Sequence, residues 1–171
     1  MAVVLQPIQT FEAVATLKRE HFVSTHPHPF LVHASGELTK LDPSRRDDLT
    51  TDRLMVEAPR AALQQGILVA PIVGKDIDAD RITIGVATAC DIMLDDASVS
   101  KRHAYFTERD GVWLIIDADS SAGTQVNSHP LSPGAPQELV SGDRITLGYV
   151  ELTFLGPVGF HELVHGLFSP D

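Results

Sequence analysis

The chain has 171 residues, 43% of them hydrophobic and 21% charged, with a formal net charge of −10 at pH 7. That length and apolar content suit one core-forming domain, or one domain with a substantial extension, and exclude a chain disordered by composition. Residues 1–65 carry a balance of −1 and residues 66–171 carry −9, so the second part repels polyanions at long range and no nucleic-acid partner is expected.

The opening MAVVLQPIQTFEAV has no basic leader, long apolar stretch or cleavage site, so no export signal is expected and the expected address is cytoplasmic. No apolar run reaches about 18 residues, which predicts no membrane partner. Residues 9–22, QTFEAVATLKREHF, space Phe11, Val14, Ala15, Leu17 and Phe22 at roughly helical intervals, with Thr10 placed to cap. Pro27 and Pro29 then force extended or turn geometry, and 30–33 (FLVH) predicts a short strand. From Gly36 to Asp52 the chain is polar and reads as a loop, with the self-neutralising run RRDD at 45–48. Thr50 and Thr51, in DDLTTDR, are candidates for phosphorylation that would fold this stretch onto its own domain.

From Gly66 the texture changes to short apolar segments at close, regular spacing. Strands are predicted over 67–73, 81–84, 91–94, 104–108, 112–117, 124–127, 137–140, 144–147 and 150–155. The intervening GKDIDAD, DDAS, RDG, SSAG, SPGAP and SGD are turn-forming by their chemistry. Nine such strands in about 90 residues indicate an all-β sandwich. Pro71 marks the first strand as an edge or a bulge. FHELVHGLF (160–168) predicts a short amphipathic C-terminal helix.

Several motifs fall in order along this region. They are ITIG at 82–85, DIML at 91–94, Ser-x-x-His at Ser100–His103, SSAGT at 120–124, Val126-Asn127, and GDRITLG at 142–148. Together they resemble the forkhead-associated (FHA) domain across residues 66–156, with residues 1–65 as an N-terminal, partly helical extension packing on or near the sandwich and 157–171 as a C-terminal helix and tail. The resemblance implies a sandwich of about eleven strands whose apical loops bind phosphothreonine peptides, without catalysis. It implies that Ser100 donates its hydroxyl to phosphate, that Lys101 adds a basic contact, and that Ser121 touches the peptide. Gly85, His103, Gly123 and Thr124 would shape the loops, and Arg102 is a further candidate contact that could instead point to solvent or pair with Asp95 or Asp96.

Two positions depart from the family pattern. Members that bind phosphothreonine usually carry Arg after the Gly of the second strand, where this chain has Val86. They usually carry Asn before Gly-Thr, where this chain has Ala122. A lost arginine contact to phosphate removes about 1.5–3 kcal/mol, or about ten- to hundredfold in affinity. The resemblance therefore implies a degenerate site with weakened phosphate dependence. The alternative is a phosphate-independent scaffold or self-association domain that uses a sheet face or the N-terminal extension.

A rival reading comes from His161-Glu162-Leu163-Val164-His165, a literal H-E-x-x-H. On a helix this spacing sets two imidazoles on one face, able to hold zinc, with Glu162 as a general base. A zinc hydrolase needs a third protein ligand. Deformylase-like enzymes take one from an upstream Cys, and the segment around Cys90 does not match theirs. Cys90 is the only cysteine; it excludes an internal disulfide and reads as a small buried filler. His26 and His28 in THPHP read as a solvated turn. No metal and no cofactor are expected.

Overall fold

A computed structural model describes residues 2–34, 66–75 and 80–169. The RRDD run, Thr50 and Thr51 lie outside the described residues. Strands β1 (Val3–Val4) and β2 (Gln6–Pro7) lead into a 3-10 helix, Ile8–Thr16, then α1 (Arg19–Thr25) and β3 (Phe30–Ala34). The chain continues with β4 (Ile67–Pro71), β5 (Ile82–Gly85), β6 (Ile92–Met93), β7 (Ala104–Arg109), β8 (Val112–Asp117) and β9 (Thr124–Val126). It ends with β10 (His129–Pro130), β11 (Pro136–Leu139), β12 (Arg144–Leu147), β13 (Val150–Leu155) and α2 (Pro157–Phe168). No helix among the described residues is long and apolar enough to cross a membrane.

The strands form two sheets, β1-β6-β5-β7-β8-β11 and β10-β9-β12-β13-β3-β4-β2. All pairs are antiparallel except β1–β6 and β5–β6. The all-β sandwich is as expected. Thirteen strands are described against about eleven expected; residues 3–34 supply three of them, and β3 lies inside the second sheet, between β13 and β4. Pro71 is the last residue of β4, opposite Phe30, where a missing ladder donor costs least.

Period-two burial explains why the second sheet is covered on both faces. In β3, Leu31 joins Ile84, Phe106, Ile115, Ile145 and Phe154 in the core between the sheets. Its neighbours Phe30 and Val32 face the other way, with Val69, Phe160 and Leu163. The N-terminal 3-10 helix, α1 and α2 form the layer over that second face. Phe160 stacks on Phe30 at 3.9 Å between ring centroids, and Phe11 meets Phe160 edge-on at 5.2 Å.

The N-terminal helical stretch differs from the single capped helix expected. It breaks at Leu17 and Lys18, whose ψ angles of 141° and 140° are extended, and no side chain caps either piece. The break turns the Leu17 carbonyl out of the helix, where it accepts a hydrogen bond from the His161 ring at 2.8 Å. The THPHP turn is also less solvated than its composition implies. His26 stacks on Phe22 at 4.6 Å and His28 leans on Phe30 at 4.9 Å, and burial pushes the His28 pKa below its ordinary value.

Candidate functional site

The loops at one end of the sandwich are built on β5. Gly85 lies against the backbone of the 100–101 segment so closely that a Cβ would stand 2.3 Å from the Lys101 carbonyl oxygen. No side chain is compatible with that approach. The Val86 and Ala87 amides then donate to the Ser100 and Lys101 carbonyls, each at 3.1 Å. Val99 is buried in the inter-sheet core, which anchors the loop just before Ser100. Cys90, also buried, gives its thiol proton to the Lys101 carbonyl at 3.2 Å.

His103 ties this loop to the next one. Its ring is fully buried. Nδ1 accepts from the Ser100 amide at 3.0 Å, which leaves Nε2 as the protonated nitrogen, and that atom lies 3.0 Å from the Gly123 carbonyl. Both ring nitrogens are thus committed to backbone, and the residue has no capacity left for a ligand. Across the gap, the Ser121 amide donates to Ser100 Oγ at 3.0 Å. An accepting Ser100 oxygen keeps its own proton available to donate outward.

The second loop is held from beneath by Asp117, at the buried end of β8. One carboxylate oxygen accepts the Ser120 amide at 2.9 Å, and the other accepts the Ser120 hydroxyl at 2.6 Å and the Thr124 hydroxyl. Burial alone raises the pKa of this acid, but the hydroxyls of Ser120 and Thr124 outweigh it and hold the carboxyl below its ordinary value. Gly123 has φ +82°, a left-handed backbone that a side chain would strain. Asp91, just before β6, ties β5 to the segment at Lys75 in a similar way. It accepts the Thr83 amide and hydroxyl at 2.8 and 2.6 Å and the Lys75 amide at 2.8 Å.

Ser100 is half-buried, and Lys101, Arg102 and Ser121 are exposed. Hydrogen bonding brings Ser100, His103, Ser121 and Gly123 together, and Thr124 lies just beneath. Among the described residues, Lys101 and Arg102 enter no ion pair, so neither is neutralised by Asp95 or Asp96. Val86 is half-buried and Ala122 exposed; neither offers a polar side chain. Lys75 approaches the same loop, but its ammonium is spent on the Thr88 and Ala89 carbonyls at 3.1 and 2.9 Å.

Neither Asp117 nor Tyr149 is given a role from sequence, nor is Ser120 beyond its place in the SSAGT motif. The pattern Asp-x-x-Ser at 117–120 is a readable signal, since a carboxylate there satisfies amides and hydroxyls within three residues. Asn127 ends β9 one residue earlier than expected. It and Ser128 have φ of 51° and 67°, the two-residue hairpin geometry that Asn favours, and this creates β10.

The H-E-x-x-H residues are on α2, as expected, but the zinc reading has no support in their geometry. His161 is buried, and its Nε2 is committed to the Leu17 carbonyl. Among the described residues, no three His, Cys, Asp or Glu side chains group as metal ligands.

Known proteins resemble the region that carries these loops. The family model of the FHA domain matches residues 82–148. The oxoglutarate dehydrogenase inhibitor of Corynebacterium diphtheriae is 39% identical over 82 residues, covering 47% of this chain and 55% of that protein. The glycogen accumulation regulator GarA of Mycolicibacterium smegmatis is 37% identical over 82 residues, covering 47% of this chain and 50% of that one. This chain therefore spans about half the length of the curated relatives it matches. Among solved structures, the N-terminal FHA domain of S. cerevisiae Rad53p in complex with a phosphothreonine peptide aligns with a TM-score of 0.43 and 28% identity, covering 48% of this chain and 72% of that one. The family match runs from β5 to the β12–β13 turn and contains both apical loops, so it is residues 82–148 of this chain that match the FHA domain.

Proposed function

We propose that this protein is a non-catalytic interaction module whose apical loops bind an extended, phosphothreonine-containing segment of a partner protein, with reduced dependence on the phosphate. Ser100 donates its hydroxyl to a phosphate oxygen, Lys101 supplies the charge-assisted contact, and Ser121 borders the same spot. Arg102 adds a second exposed cation. The observation that carries this reading is the Ser121–Ser100 hydrogen bond of 3.0 Å, which joins the two loops and leaves the Ser100 proton unspent. The reduced phosphate dependence follows from Val86 and Ala122, which contribute neither charge nor hydrogen bond, and from Lys75 being occupied by backbone carbonyls. Relatives named as an enzyme inhibitor and a regulator of glycogen accumulation support a partner that is a protein under regulation.

Titration with matched phosphorylated and unphosphorylated threonine peptides tests this. The phosphorylated peptide binds more tightly, and Ser100→Ala and Lys101→Ala each weaken it about tenfold. Val86→Arg strengthens it by about ten- to hundredfold. Equal affinities for the two peptides in both the wild type and Val86→Arg would remove phosphate from the reading and favour a scaffold that binds through another surface.

A further inference from the structure

We infer that Tyr149, on the turn between β12 and β13, is a third contact of the apical site and selects a basic side chain in the bound segment. This rests on the apical loops being the binding surface, as proposed above, but it does not depend on phosphate.

Tyr149 is 90% exposed. A large aromatic side chain left in water serves no packing purpose, yet its backbone is held firmly. Its amide donates to Ser98 Oγ at 2.9 Å, and the Ser98 hydroxyl donates to Asp96 at 2.6 Å. The preceding Gly148 has φ +61°, and a Cβ there would stand 2.5 Å from the Ser98 carbonyl oxygen. The Gly148 amide also reaches the Gly123 carbonyl at 3.2 Å. The turn is therefore fixed to both loops that form the site, one through Ser98 and the other through Gly123. An aromatic ring on a rigid support loses little conformational freedom on binding, which is why tyrosine dominates recognition surfaces.

Charge decides what the ring takes. The first loop begins with Asp95 and Asp96, both exposed, and ends with Lys101 and Arg102, also exposed. Its acidic end is the one bonded to this turn, since the Tyr149 amide reaches the Asp96 carboxylate through the Ser98 hydroxyl. The Ser98 hydroxyl and amide hold that carboxyl below its ordinary value, so it is ionised at neutral pH. An arginine or lysine laid on the ring gains a cation–π contact, and the carboxylates on the loop bonded to this turn favour the same sign of charge. An acidic residue at the same position meets repulsion. The apical surface thus has two poles. The cationic one, next in the chain to Ser100, suits the phosphothreonine, and the one with the acidic loop start and Tyr149 suits a basic flank.

Two degenerate peptide libraries, one around a fixed phosphothreonine and one around threonine, test this on the full chain. The wild type enriches Arg or Lys at one flanking position, Tyr149→Ala loses that enrichment, and Tyr149→Phe keeps it. For a single basic peptide chosen from the retained pool, Tyr149→Ala weakens binding about three- to thirtyfold, with an unchanged melting temperature. Equal retention of both libraries with the basic preference intact supports Tyr149 while overturning the role of phosphate. No basic preference in either retained pool, or a preference that survives Tyr149→Ala, overturns the inference and leaves the phosphopeptide reading standing. Failure to retain either library overturns both.

Discussion

The loop end and the helical layer are each pinned by a buried histidine, and the two do different work. His103 spends both ring nitrogens on backbone from two separate loops. His161 spends one on the Leu17 carbonyl and sits against Phe22 at 5.2 Å. Around His103 the partners are small and polar: Ser100, Ser120, Gly123, Thr124 and Asp117. His161 touches Phe22, which belongs to an apolar cluster of large rings with Phe11, Phe30 and Phe160. A polar network fixes atoms in place by direction, while an aromatic cluster fixes elements by volume. The first kind of order is what a ligand site requires. The second carries stability and leaves the site alone.

That contrast can be broken by mutation on either side. The largest loss is expected for Phe160→Ala, since the ring is fully buried among three other phenylalanines. It should cost about 4 kcal/mol in denaturant titration, with peptide affinity of the remaining folded protein unchanged. Asp117→Ala should cost about 3 kcal/mol, because three donors lose their acceptor at once. Here affinity for a phosphothreonine peptide should fall as well. An Asp117→Ala protein that binds as the wild type does would separate the network from the site. Gly85→Ala is expected next, at about 2 kcal/mol, because the clash is with backbone and cannot be relieved by a rotamer change. Amide shifts at Ser100 and Lys101 in NMR spectra would register the displaced loop.

What could be read in advance follows the same division. Directional order needs particular residue types at particular spacings, so Ser100–His103 and Ser120–Thr124 stand out as short motifs. The strands from 82 onward were legible because their apolar residues alternate between turn-forming clusters. Volume-based order leaves weaker marks. Phe11, Val14 and Phe22 suggest one helix by spacing, yet packing on the second sheet splits it at Leu17. Strand β3 looks like an isolated four-residue run, and only its pairing with β13 and β4 makes it central. The H-E-x-x-H residues illustrate the limit. Their spacing is that of a metal site, but His161 is claimed by a carbonyl 144 residues away in sequence. Tyr149 escaped notice because it lies between the strands predicted at 144–147 and 150–155, where no motif marks it and nothing in the spacing shows that the turn is tied to both apical loops.

The smallest effects are in pH dependence, and they separate the two regions most cleanly. Asp117 beneath the second loop and Asp91 beside β5 both have carboxyls held below their ordinary value. A carboxyl lowered in the folded state adds stability above its unfolded pKa, and that stability is lost as pH falls through the folded value. The loops should therefore loosen only below about pH 4, and Asp117→Asn should flatten the curve there. His28, in the helical layer, is also lowered, chiefly by burial and further by His26. For a histidine this means the folded state resists taking a proton that the unfolded chain accepts readily. Its stability contribution is thus present above 6.5, its unfolded value, and declines as pH drops through the folded one. Amide hydrogen exchange followed from pH 7.5 to 5, after correction for intrinsic rates, should show protection falling in α1 and β3 while the amides of Ser100 and Ser121 hold. His28→Gln should abolish that early fall, and loops that weaken together with α1 in this range would mean that the two regions unfold as one unit.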